Sequence, residues 1–175
     1  SLGNTISPVE LVKKYGTEAV RYFLLAKLHS YEDGDFTYEK FEDAYNADLA
    51  NGLGNLVARV AKLAERFKIQ DSGFKIQFAN KEFDEIKKHL DQFRFDEALR
   101  IIWGWITQLD QTIEKDQPWK LEVKDLEKVL AGYRENILRI ATALQPFLPE
   151  TAEKVLKQFS GLEIKSGDPL FPRIK

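Results

Sequence analysis

The chain has 175 residues but no cysteine, no methionine and only two histidines, His29 and His89. Without thiols it can form neither a disulfide nor a thiolate metal site. Two isolated imidazoles do not make a zinc cluster, so no bound metal is expected. No apolar run approaches the ~20 residues that a membrane span requires. The opening Ser1-Leu-Gly-Asn4 lacks the charged and apolar regions of a signal peptide. The missing initiator methionine suggests a fragment or a processed chain, and a soluble cytoplasmic location with no membrane partner is the expectation. An excess of positive charge is also absent: 26 Lys and Arg stand against 28 Asp and Glu, for a net charge of −2. The overall basic footprint of a non-specific nucleic-acid binder is therefore missing, and any contact with nucleic acid must come from a local patch.

The motifs that organise common active sites are missing as well. There is no G-x-S-x-G elbow, no Walker A loop and no G-x-G-x-x-G. Asp33 and Asp35 flank Gly34, a pattern that reads as turn chemistry. The other carboxylates are interspersed with lysines, as on solvated helix faces. Taken alone, the chain has no convergent catalytic set.

What is present is material for one helical core. Hydrophobic residues make up 43% and aromatics 12%, as in a globular domain of ordinary size. Ser7-Pro8-Val9-Glu10 places a cap, a first-turn proline and an acid three residues after the cap. Gly16 is the natural stop for that helix, and Thr17 the cap of the next. Thr37 should cap a long helix over 38–68, with Leu49, Leu53, Leu56, Val60, Leu63 and Phe67 recurring along one buried face. Gly52 and Gly54 weaken that helix by ~1 kcal/mol each, but let a second element approach closely. Phe74, Ile76 and Phe78 alternate with polar residues, as in a short extended stretch or a packed loop. Further helices are expected over 81–92, capped by Asn80, then 95–115, 123–144 and 149–159, punctuated by Pro118, Pro146, Pro149 and Gly161. Trp103 and Trp105 fall within the apolar pattern of the 95–115 helix and read as core. The fold class is all-α: a helical bundle preceded by a small irregular segment.

Two features could meet a nucleic acid. Asn55, Arg59, Lys62 and Arg66 recur at i, i+4, i+7 and i+11, a stripe about 100° from the apolar seam. An amide and a guanidinium one turn apart can both hydrogen-bond an exposed base edge. Such a stripe also serves solubility, and the pattern alone does not choose between these roles. Trp119 follows Pro118 at the end of an element, where an indole either packs at a boundary or stacks an unpaired base.

The ordered set of motifs is similar to the methionyl branch of the class I aminoacyl-tRNA synthetases. Ser1-Leu-Gly-Asn4 with Ile6-Ser-Pro-Val-Glu-Leu11 resembles the segment just after the KMSKS signature. Tyr15-Gly-Thr-Glu-Ala-Val-Arg-Tyr-Phe23, Asp33-Gly-Asp-Phe36, Tyr45-Asn-Ala-Asp-Leu-Ala-Asn51 and Leu53-Gly-Asn-Leu-Val-Ala-Arg59 continue the match in the family's order. Gln117-Pro-Trp-Lys120, Gln145-Pro-Phe-Leu-Pro-Glu-Thr-Ala152 and Leu170-Phe-Pro-Arg-Ile174 complete it. The resemblance implies a stem-contact segment over 1–36 and an α-helical anticodon-binding bundle over 37–175. It implies that Asn55 and Arg59 read a CAU anticodon with Trp119 stacked on it, leaving Lys62 and Arg66 as candidate phosphate contacts. Its implied partners are methionine tRNA and the catalytic domain of the same parent, a methionine–tRNA ligase using ATP with Mg. The fragment itself is expected to need no cofactor and to be catalytically inactive. The sequence departs from the family where an Asn-x-Tyr-Ile element is replaced by Asp110-Gln-Thr-Ile113, and Asp110 and Thr112 are accordingly not expected in the site. The alternative is a non-enzymatic helical module that binds protein.

Overall fold

The computed structural model describes residues 7–28, 36–67 and 80–174. Among these residues the chain is helical and carries no β-sheet. Asp33, Asp35 and His29, and the alternating Phe74, Ile76 and Phe78, lie outside the described residues.

The short helices α1 (Pro8–Tyr15) and α2 (Thr17–Ala26) meet at Gly16. Gly16 sits at φ 86°, a backbone conformation that costs other residues far more. It is also the N-cap of α2, so Thr17 is the first helical residue rather than the cap. Helix α3 (Tyr38–Ala44) starts as its sequence indicates: the Thr37 hydroxyl accepts from the Lys40 amide at 3.1 Å.

From Ala44 the chain runs without a break through a π-helical stretch, Tyr45–Gly54, into α4 (Asn55–Arg66). The sequence gives no warning of this change of winding, and it has a clear geometric effect. In an α-helix Asn46 and Asn51 would lie about 140° apart. The slower winding of a π-helix, bonded i to i+5, brings residues five apart toward one face, and both amides meet the C-terminal tail. Asn46 donates to the Ile174 carbonyl at 3.1 Å and accepts from the Ile174 amide at 2.9 Å, while Arg173 donates to the Asn51 side chain at 2.7 Å. The two glycines admit close neighbours. A Cβ on Gly52 would lie 3.9 Å from the Trp103 indole nitrogen, and one on Gly54 would lie 2.9 Å from the Leu49 carbonyl oxygen. The apolar seam is buried at Leu49, Leu53, Leu56 and Val60 and half-buried at Leu63 and Phe67.

Helix α5 (Asn80–Asp91) turns into α6 (Phe95–Asp116) through Phe93, at φ 55°. There the Arg94 amide reaches back to the His89 carbonyl at 2.9 Å, satisfying an end carbonyl of α5. Asn80 is the first residue of α5 rather than its cap. A single 3₁₀ turn, Pro118–Lys120, leads to α7 (Val123–Leu144), and Pro149 opens α8 (Pro149–Ser160). Helix α7 is central. Leu126, Leu130, Tyr133, Ile137, Ile140, Ala141 and Leu144 are buried at helical spacing against α4, α6 and α8. Trp103 and Trp105 are half-buried rather than enclosed. The Trp103 ring lies 4.5 Å from that of Tyr22, and the Arg139 guanidinium lies 4.5 Å from the centre of the Trp105 ring.

The first two helices share this core through Leu11, Ala19, Val20, Tyr22 and Phe23. Their polar side chains also close the turn between α7 and α8. Arg21 donates to the Phe147 carbonyl at 2.7 Å and to the Pro146 carbonyl at 2.9 Å. Glu18 accepts from the Glu150 amide at 2.7 Å and the Thr151 amide at 2.9 Å. Leu148, the N-cap of α8, makes no side-chain bond to those amides. The carboxylate of a distant helix satisfies them instead and faces the positive end of the α8 dipole.

Candidate RNA-reading site

Three elements converge at one end of the bundle. Helix α4 supplies Asn55 and Arg59, the last turns of α6 supply Asp110 and Glu114, and the 3₁₀ turn supplies Trp119.

The position of Trp119 follows from how α6 ends. Gln117 adopts a left-handed conformation, φ 46° and ψ 58°, and its amide caps the Ile113 carbonyl at 3.1 Å. A residue with a Cβ rarely holds this conformation without outside support. Support comes from both sides: Pro118 is buried, and Tyr133 of α7 donates to the Asp116 carboxylate at 2.9 Å. Burial, then the Asp116 hydrogen bond and charge, raise the Tyr133 phenol well above its ordinary range, so this hydroxyl stays protonated and keeps donating. The turn so fixed leaves Trp119 47% exposed. Trp119 is unlike Trp103 and Trp105 in this respect and stands at an element end, as Pro118 before it indicates.

Arg59 lies under that indole, with its guanidinium carbon 5.7 Å from the ring centre, within the range of a cation–π contact. The same group is gripped from α6: Nη1 is 3.1 Å from Asp110 Oδ1, and Nη2 is 2.7 Å from Glu114 Oε1. Arg59 is therefore only 23% exposed at its side chain, whereas Asp110 is 46% exposed. Asn55, Lys62 and Arg66 are exposed along α4, so the stripe has the face that its spacing indicates. Asp110 was not among the residues anticipated for the site, yet it holds Arg59 directly. Spacing puts residues 110 and 114 one helical turn apart on a shared face, but only the crossing of α6 and α4 turns that face to Arg59. Thr112 lies about 200° around α6 from Asp110 and bonds its own helix at the Gln108 carbonyl, 2.8 Å away.

The two carboxylates offset part of the positive charge that Arg59, Lys62 and Arg66 give the α4 stripe. Arg59, Asp110 and Glu114 together carry a net −1, while Lys62 and Arg66 continue the stripe as cations. The surface where α4, α6 and the turn meet thus presents an exposed aromatic ring beside mixed hydrogen-bond donors and acceptors. That chemistry suits the edge of an unpaired base better than a phosphate. Among the described residues no group of His, Asp or Glu side chains could hold a metal ion, and no helix is long and apolar enough to cross a membrane.

The family model for class I tRNA synthetases (M) matches residues 1–61. The chain is 33% identical to the methionine–tRNA ligase of Clostridium acetobutylicum over a 206-residue alignment, covering 99% of this chain and 32% of that one. It is 32% identical to the methionine–tRNA ligase of Lactococcus lactis, covering 99% and 31%. Among solved structures, Mycobacterium tuberculosis methionyl-tRNA synthetase in complex with methionyl-adenylate superposes with a TM-score of 0.84 at 26% identity, covering 98% of this chain and 40% of that one. Its free form gives a TM-score of 0.82 at 25% identity, covering 97% and 41%. The all-α architecture is thus shared along nearly the whole chain, which spans about a third of the length of the curated relatives it matches. The chain belongs to the methionyl-tRNA synthetase family.

Proposed function

We propose that this chain reads the CAU anticodon of methionine tRNA, on behalf of a longer protein that uses ATP to ligate methionine to that tRNA. The observation that carries the reading is the meeting of Arg59 and Trp119 at 5.7 Å, with Asn55 exposed one turn before Arg59. An unpaired base can stack on the indole and present its edge to the guanidinium and the amide, which paired bases in an A-form helix cannot do. Lys62 and Arg66, further along the same face, are placed for the backbone of the loop. On this reading, 1–36 contacts the tRNA stem and 37–175 forms the anticodon-binding bundle. The adenylation and transfer steps belong to a catalytic domain of the parent protein, and the protein works in the cytoplasm.

The test is binding of this chain to fluorescent anticodon stem-loops carrying CAU or GAU at fixed moderate salt. Tighter binding to CAU is expected. Equal binding to both would reduce the bundle to a scaffold for the RNA backbone. Absence of binding to either, repeated with the full-length parent, would favour a helical module that binds protein.

A further inference from the structure

We propose that Asp110 selects cytosine over uracil at the first anticodon position, a role that rests on the anticodon reading above. The salt bridges to Asp110 and Glu114 engage one hydrogen on each Nη of Arg59, and the second hydrogen on each remains for a ligand. Only Oδ1 of Asp110 is bonded to Arg59, and the side chain is nearly half exposed, so the carboxylate keeps acceptor capacity toward solvent. Asp110 and Arg59 therefore form an acceptor beside a donor, held at 3.1 Å, with the guanidinium 5.7 Å from the Trp119 ring centre.

Cytosine matches that order. Its 4-amino group donates to the carboxylate, a pairing that acidic side chains make with this base, while N3 and O2 accept from the guanidinium. Uracil inverts both partners: O4 faces the carboxylate oxygen, and N3–H faces the N–H donors. A site that pairs each polar group of the base rejects such an inversion, because each group loses its partner as well as gaining a repulsive one. Guanine also offers donors to a carboxylate and an oxygen to a guanidinium, so the pair does not by itself exclude it. The informative contrast is cytosine against uracil. The net charge of −1 on Arg59, Asp110 and Glu114 supports the same view, since such a cluster disfavours a phosphate and tolerates a neutral base edge.

The experiment compares this chain with its Asp110→Asn and Asp110→Ala variants on three stem-loops. These carry CAU, UAU, or CAU with pyrimidin-2-one as first base, a cytosine lacking its 4-amino group. The unaltered chain should prefer CAU to UAU. Asp110→Asn, which offers both a donor and an acceptor in the same volume, should cut that preference on the order of ten-fold. Asp110→Ala should weaken binding to the CAU loop while leaving the pyrimidin-2-one loop nearly unchanged. An equal loss on both loops would overturn the proposal and make Asp110 a positioning residue for Arg59. If the unaltered chain showed no preference for CAU over GAU, the anticodon reading itself would fail. An intact CAU preference with an unchanged cytosine-to-uracil ratio in Asp110→Asn would sink only the role of Asp110.

Discussion

The carboxylate of Glu18, on α2, accepts the backbone hydrogen of Thr151, at the start of α8, across 132 intervening residues of chain. It also takes the amide of Glu150, so one side chain caps a helix to which it does not belong. Replacing Glu18 with Ala strands both donors in a half-buried place. A loss of about 1–2 kcal/mol is expected, the scale of a removed N-cap, read as a lower midpoint in urea. Glu18→Gln keeps one acceptor and should lose less.

Trp119 is exposed and held by the turn rather than by the core. Trp119→Ala should therefore weaken CAU stem-loop binding by about 1–3 kcal/mol, the worth of one stacked base. The thermal midpoint should barely move. A large drop in that midpoint with affinity preserved would show that the indole packs rather than stacks.

Two glycines in helices should respond in opposite directions. A Cβ at Gly104 meets nothing within 4 Å, so Gly104→Ala removes backbone entropy from the unfolded chain and should stabilise by about 0.5–1 kcal/mol. At Gly54 the added carbon would lie 2.9 Å from the Leu49 carbonyl oxygen, a backbone atom that cannot turn away. Gly54→Ala should destabilise and perturb the π-helical stretch, seen as lost amide protection in hydrogen exchange.

Burial, with the charge and hydrogen bond of Asp48 added, raises the Tyr22 phenol above its ordinary value of 10.0. The unfolded chain ionises this group near the ordinary value, while the folded chain resists. Its contribution to stability is thus complete below about pH 10 and falls as the pH climbs toward the folded pKa. Tyr22→Phe should lower neutral stability by about 1 kcal/mol through the lost bond to Asp48. It should also flatten the alkaline decline, measured as denaturation midpoints between pH 8 and 11 (roughly the span over which an unfolded tyrosine titrates).

Local chemistry made much of the fold legible. Ser7-Pro8, Gly16, Thr37, Pro118, Pro146 and Pro149 mark helix boundaries because each restricts or frees the backbone in one known way, and α7 begins and ends where its apolar spacing indicates. The π-helical winding was not legible, and the tail that bonds its Asn46 and Asn51 returns from the far end of the sequence. The exposed basic face of α4 could be read from spacing. The grip of Asp110 and Glu114 on Arg59 could not, because it depends on how α6 crosses α4. The motif departure at Asp110 pointed away from the site, while the packing brings that carboxylate into it.

The strap formed by residues 166–174 sets an order of events. It runs antiparallel to the long helix, from Ser166 at Glu65, past Phe171 beside Gly54, to Ile174 at Asn46. During synthesis α3 and α4 emerge well before their partners in this strap, so the Tyr45–Gly54 stretch has no amide-to-tail bonds to hold its wide winding. Such sequence-distant contacts close late, after the chain entropy of a long loop has been overcome. A ribosome paused before residue 174 would therefore carry a nascent bundle whose first long helix lacks its bonds to the strap.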